Sequence, residues 1–440
     1  MSLTRRTIQI EEKLPILQTL PLSLQHLMAM FGATVLVPLL FKVDPAVALL
    51  MNGFGTLLYT IITKGGIPAY LGSSFAFIAP VFLIMSKGGY SHAQSGFIFF
   101  GLTFVVVSVI IRYVGTKWID IVMPPPVMGA VVAVIGLELA PVAAQMAGLA
   151  PWPNQPYVPD PNVILVSIFT LLVGVIGSVV FRRFLQIIPV LMAVICGYIL
   201  ALLKGMVDLS VIAKAPWFAL PQFTAPVFDP SAIVIIAPAC LVVLAEHIGH
   251  LIVTGNITEK DLVKKPGLHL SLLGDGLSNI ISGFTGSPPN TTYGENIGVM
   301  AITRVYSVWV IRGAAIIAIL VSMIGKFSAA IQTIPGPVMG GITILLYGTI
   351  AAAGIRLLVE QVVNYSKNYN IVLSAVVFVI GVSGAKISMG TVEMKGMALA
   401  AVVGVVLSII IYVLNSLGWL NEDMETAGGD SLSRKQNLTR

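Results

Sequence analysis

Charge is what this chain most lacks. Only 10% of its 440 residues are Asp, Glu, Lys or Arg, against about 25% in a soluble domain, while 57% are hydrophobic and the mean hydropathy is +0.95. A fold exposed to water on every side is excluded. Cysteine is nearly absent: Cys196 and Cys240 both lie inside apolar runs, which argues for inert core thiols and against a disulfide framework or a thiolate metal site. There are five histidines, and no His/Asp metal cluster, nucleophile elbow or phosphate loop. An enzyme is therefore not expected, nor a metal or a resident cofactor. The net charge of +6 reflects basic loops and implies no nucleic-acid partner.

What is present is a series of apolar runs of roughly 18–22 residues, the length that crosses a bilayer. Spans are expected near 18–40, 45–63, 68–86, 94–111, 124–146, 161–181, 186–206, 231–254, 269–284, 288–302, 305–325, 336–354, 370–386 and 396–417, about fourteen helices in an all-α polytopic membrane protein. The polar first dozen residues run on without a cleavage site, so no removable signal peptide is expected. With the N-terminus inside, cytoplasmic segments hold about seventeen Lys and Arg against about seven outside, among them Arg5, Arg6, Arg182, Arg183, Lys260, Lys264, Lys265 and the tail. This predicts a plasma-membrane protein with both termini in the cytoplasm. Asn290-Thr291-Thr292 matches a glycosylation acceptor but falls at membrane depth.

The chain also resembles itself. PPPVMGA at 124–130 returns as PGPVMGG at 335–341, LQHLMAMFGA at 24–33 as AEHIGHLIVT at 245–254, and LGSSFAF at 71–77 falls opposite TTYGENI at 291–297. One offset of about 211–221 residues predicts a duplication. Seven spans per copy is an odd number, so the two repeats run inverted through the membrane, as in secondary transporters. Each copy breaks a span with helix-poor residues: Gly65-Gly66-Ile67-Pro68 and Gly72-Ser73-Ser74 in span 3, Gly286-Ser287-Pro288-Pro289-Asn290-Thr291-Thr292 in span 10. These breaks predict short extended segments at membrane depth and half-helices restarting at Phe75 and Gly294, whose free N–H groups and positive dipole ends face a cavity.

Two carboxylates lie in such apolar surroundings. A charge at membrane depth costs several kcal/mol, so Glu246 and Glu295 read as substrate or proton sites. The bland alternatives are a structural ion pair for Glu246 and a helix-start stabiliser for Glu295. His250, one turn after Glu246, reads as a proton handler; His247 divides between packing and an indirect hydrogen bond. Gln25 and His26, at the matching place in the first copy, read as a scaffold orienting the glutamates. Asp275 reads as part of a structural network, and Glu138 as reaching the interface from the outer end of its span. Phe75 and Tyr293 could stack on a flat ligand or simply pack. Carboxylates and backbone N–H donors together suit a small neutral polar molecule that alternates N–H and C=O, as a nucleobase does, moving with a proton.

Glu295-Asn296-x-Gly298-x4-Thr303-Arg304, with Gln25-His26, AYLGSSFAF and AEHIGH, resembles the signature of the nucleobase–ascorbate transporter family, and is most similar to its bacterial uracil carriers. The resemblance implies a core domain from spans 1–4 (14–123) and 8–11 (230–326), a gate domain from spans 5–7 (124–210) and 12–14 (334–418), and a cytoplasmic tail at 419–440. It implies proton-coupled uracil uptake by elevator motion, in a homodimer joined through the gate domain within the lipid bilayer. Glu246 and Glu295 would bind the ring, the N–H groups of Phe75 and Gly294 its carbonyls, and Ala33, Tyr293 and Tyr347 would form walls. His250 and Glu295 would couple the proton; Gln25, His26, His247, Asp275, Asn296, Thr303 and Arg304 would support the site. Purine or ascorbate transport on the same scaffold stays open, and so does an anion transporter or channel of related fold.

Overall fold

The computed structural model describes residues 7–182, 184–389 and 392–420. Arg5, Arg6, Arg183 and the tail from 421 onward, counted above as cytoplasmic, lie outside the described residues. From the amino end, α1 (Ile16–Phe41) is followed by α2 (Pro45–Ile62), β1 (Leu71–Ser73), a 3-10 turn at Phe75–Phe77, α3 (Ile78–Met85), α4 (Tyr90–Val114), α5 (Lys117–Val122), α6 (Pro125–Glu138), α7 (Ala140–Met146), α8 (Pro161–Val180), α9 (Pro189–Leu203) and α10 (Ser210–Lys214). Then come α11 (Pro230–Thr258), α12 (Leu268–Thr285), β2 (Asn290–Thr292), α13 (Gly294–Thr303), α14 (Val308–Ser322), α15 (Gly325–Gln332), α16 (Gly336–Glu360), α17 (Asn368–Val382), a hairpin of β3 (Lys386–Met389) and β4 (Val392–Lys395), and α18 (Gly396–Ser416).

Among the described residues eight helical segments are long and apolar enough to cross a membrane: α1, α2, α4, Pro125–Met146, α8, α11, α16 and α18. Four shorter apolar helices, Phe75–Met85, α9, α14 and α17, accompany them. In α8 the exposed positions Leu165, Ile168, Phe169, Leu172, Val175 and Ile176 are themselves apolar, as a helix side facing lipid requires. The chain is a multi-pass membrane protein.

Local chemistry sets the helix starts. Asp44, Asp160 and Asp229 each precede a proline and accept backbone N–H groups of the first turn of α2, α8 and α11. The carboxylate satisfies donors that the helix leaves free, and proline loses none that it needs. Small residues then let helices close in. A Cβ on Gly101 of α4 would stand 2.6 Å from the carbonyl oxygen of Gly276 on α12, and one on Gly276 2.8 Å from that of Gly101. Such contact supplies the dispersion that lipid cannot. The span expected at 124–146 is met by Pro125–Met146, whose two helices, α6 and α7, join at Leu139. Glu138, expected to reach the interface, instead accepts the Met397 N–H on its Oε2 at 2.8 Å and caps α18.

β1 and β2, more than 200 residues apart in sequence, pair antiparallel in the register Leu71↔Thr292, Gly72↔Thr291, Ser73↔Asn290. The ladder extends through Tyr293 N–H to Tyr70 O (2.9 Å) and Ser74 N–H to Pro289 O (2.8 Å). All six strand residues are buried. Each strand satisfies the other's backbone where no water or lipid group could.

Candidate functional site

The crossing strands deliver two helix starts to one place. Phe75 opens the turn leading into α3, with Ser74 as its cap, and Gly294 opens α13 after an extended Tyr293. Their N–H groups have no partner within their own helices. Glu295 lies in the first turn of α13, where the helix dipole favours a negative charge. From α11, Glu246 and His250 come to the same place on one face. The His250 Nδ1 is 3.1 Å from the Thr292 hydroxyl, and a Cβ added to Gly294 would stand 3.2 Å from its Nε2.

Glu246 lies one turn before His250 and Glu295 directly after Gly294, so the approach of His250 to Gly294 brings both carboxylates to one place. Glu295 is exposed, and Glu246 and His250 are half-buried. Their accessible surface opens into a crevice between α11 and α13. Open space also adjoins three glycines: a Cβ on Gly298 of α13 or Gly348 of α16 would meet nothing within 4 Å, and one on Gly249 of α11 only Leu357 at 3.9 Å. The wall is aromatic. Phe75 meets Tyr347 edge to face, with centroids 6.3 Å apart. Tyr293 packs with Ala33 and Phe75, and its hydroxyl donates to Ser73 O at 3.0 Å while accepting from Thr34 at 3.5 Å. That anchor keeps the Tyr293 ring from swinging.

Behind this surface lies a buried polar network. His247 and Asp275 are fully buried, with Nδ1 2.8 Å from Oδ2. The other ring nitrogen is 2.7 Å from Ser271 Oγ, itself 2.6 Å from Tyr59 Oη. Asn279 donates to Asp275 Oδ1 (2.8 Å) and to Asn290 O (2.8 Å), and accepts from Asn290 N–H at 2.7 Å. This one carboxamide fixes the backbone at the start of β2, and so the place where α13 begins. Asn279, Ser271 and Tyr59 are additions to the expected set; an Asp and an Asn four residues apart in LLGDGLSNI were the available signal.

His26 does not bond the glutamates. Its Nδ1 lies 2.9 Å from Asn296 Nδ2, which also donates to His26 O at 3.3 Å. As the amide nitrogen can only donate, that ring nitrogen accepts and the ring proton sits on Nε2. His26 thus holds α13 through the neighbour of Glu295. Gln25 Oε1 and Asn296 Oδ1 are buried without a protein partner. Thr303 and Arg304 lie at the other end of α13, away from the crevice. Among the described residues no His, Cys, Asp or Glu side chains gather in the threes a metal ion needs, and both cysteines are free.

A membrane helix fold with two helix starts and two carboxylates around one crevice is the construction of a small-molecule permease. The sequence matches the profile of the Permease family over residues 17–390, and the chain belongs to that family, the nucleobase–ascorbate transporters. It is 60% identical over 415 residues to the uracil permease of Escherichia coli, covering 94% of this chain and 96% of that one. Its identity to the uracil permease of Paenibacillus larvae is 58% over 418 residues, 95% and 99% of the two chains. For the Bacillus subtilis uracil permease it is 47% over 397 residues, 88% and 91%. In fold it is similar to the transmembrane domain of the cyanobacterial bicarbonate transporter BicA, with a TM-score of 0.61 at 16% identity over 91% of this chain and 100% of that one. Murine Solute Carrier 26 family member A9 gives 0.67 at 10% identity, over 92% and 69%.

Proposed function

We propose that this permease carries uracil into the cell together with a proton. The observation that carries the reading is the pairing of β1 with β2 and the approach of His250 to Gly294, which bring Glu246 and Glu295 together with the opening N–H groups of Phe75 and Gly294. Uracil presents ring N–H groups that donate to carboxylates and carbonyl oxygens that accept from backbone N–H groups. Its flat ring fits between Phe75, Tyr293 and Tyr347, with Ala33 behind. An anion would be repelled by two ionised glutamates, and a bare cation would leave the N–H donors unmatched. Relatives named uracil permeases at 47–60% identity support the substrate.

The same groups support proton coupling. A proton taken up at Glu295 or His250 neutralises the crevice, and the loaded site then crosses more readily than the charged one; substrate and proton each raise the other's affinity. No resident cofactor is needed. The eight long segments, the four shorter apolar helices, α12 and β2–α13 together support fourteen crossing segments in two inverted repeats. We assign residues 14–123 and 230–326 to a core that moves elevator-fashion against a gate of 124–210 and 334–418. The gate would form the contact of a homodimer, with both termini in the cytoplasm. Uptake of radiolabelled uracil in a strain without its own carrier, with xanthine, urate and ascorbate as competitors, tests the substrate. Competition by uracil alone is expected. Uptake blocked better by xanthine or ascorbate would overturn it.

A further inference from the structure

The family signature that begins at Glu295 ends at Thr303-Arg304, far from the crevice, and its end has other work. α13 stops at Thr303. Arg304 adopts a left-handed backbone (φ 58°), and its N–H donates to Met300 O at 2.8 Å. An N-terminal arm lies alongside the residues that follow. The Ile8 N–H donates to Arg304 O (3.0 Å), Ile8 O accepts the Tyr306 N–H (2.9 Å), and Ile10 O accepts the Val308 N–H (2.9 Å). Ile8 and Val305 form a parallel bridge. The Ser307 hydroxyl, which caps α14 through the Trp309 N–H, also donates to Glu12 O at 2.5 Å. Ile10 is fully buried, and Lys13 Nζ stands 4.1 Å over the Trp309 ring.

The same arm reaches a second helix. Glu11 pairs with Lys260 at 2.7 Å, two residues beyond the end of α11. One segment of six residues thus touches the far ends of both helices that bear the site glutamates. We propose that residues 8–13 are a positioning strap for the transport site, fixing the relative placement of α11 and α13 from the ends opposite the crevice. α13 has only ten residues, about 15 Å of rigid rise, so a shift at Arg304 arrives at Glu295 little diminished. At its near end α13 is held by β2 and His26; at its far end, the strap holds it. The docking rests on backbone bonds and on buried Ile10. Glu11 and Lys260 are half-exposed or more, so their pair adds a modest share.

This inference rests on uracil binding at Glu246 and Glu295. It is tested by calorimetric titration of uracil into full-length purified protein: wild type, Ile10→Asp, Glu11→Lys, Lys260→Glu and the double swap. Ile10→Asp is expected to raise Kd about tenfold, and each charge reversal about two- to threefold, with the double swap restoring most of the loss. A well-folded Ile10→Asp variant with wild-type Kd would overturn the strap. Should that variant fail to fold, the reversals decide: unchanged Kd in both, or no recovery in the swap, also overturns it. Docking is read without substrate from an Ile8→Cys/Val305→Cys cross-link, located by peptide mass. Its formation supports the strap and its absence overturns it, whereas wild type failing to bind uracil sinks the substrate reading instead.

Discussion

His250 and Thr292 join the two halves of the site: the ring Nδ1 of one lies 3.1 Å from the hydroxyl of the other. A change of protonation on the ring is therefore felt at the last residue of β2, two residues before Gly294 opens α13. His250→Ala is expected to remove coupling worth about 1–3 kcal/mol. Proton-driven accumulation should fall at least about fivefold, while equilibrium uracil binding changes far less. Accumulation ratios in energised cells, set beside Kd from titration, make the check. A variant that concentrates uracil like wild type would rule out this role.

Gly72 lies in β1 under Tyr293, and a Cβ there would enter the tyrosine ring. The ring cannot yield freely, because its hydroxyl is held by Ser73 O. Gly72→Ala should cost about 1–3 kcal/mol through overpacking, seen as a lower Tm and a higher KM for uracil uptake.

Asp275 and His247 are both without exposed surface. Taking one partner from such a pair leaves the other buried and unmatched, at a cost of about 3–5 kcal/mol. Asp275→Ala is expected to unfold far earlier on heating. Asp275→Asn, which still offers Asn279 an acceptor, should lie between, as thermal melts in detergent will show.

Asp229 starts α11, accepting from Ser231 N–H (2.8 Å) and Oγ (2.7 Å), with His92 Nδ1 3.1 Å away. The Ser231 hydroxyl bond, joined by backbone N–H and His92 contacts, holds its carboxyl below the usual range. A carboxyl whose folded pKa is depressed contributes stability that is complete above its unfolded value, near 4, and lost as pH falls through the folded one. Asp229→Ala should lower stability by about 1 kcal/mol at neutral pH. The gap in Tm from wild type should close as pH drops below about 4.

Much of this was legible in the residues. Gly/Pro clusters beside Phe75 and Gly294 marked where helices had to begin again. The acids stood out because apolar sequence makes carboxylates expensive. What stayed hidden was pairing between distant segments. Three-residue strands carry too little pattern to name their partners, so the Leu71↔Thr292 register had no local signal. The arm at Ile8–Ile10 docks through backbone groups that every residue has. Glu138 looked like an interface residue because its partner, the Met397 N–H, lies on a helix more than 250 positions away.

The most direct test is calorimetric titration of uracil into purified wild type, Glu246→Gln and Glu295→Gln. Replacing a carboxylate that accepts a ring N–H should cost about 1.5–3 kcal/mol, a loss of at least tenfold in affinity for each variant, from a wild type that binds saturably. Wild-type affinity in both variants would contradict the account, because the crevice carboxylates would then have no part in holding the substrate.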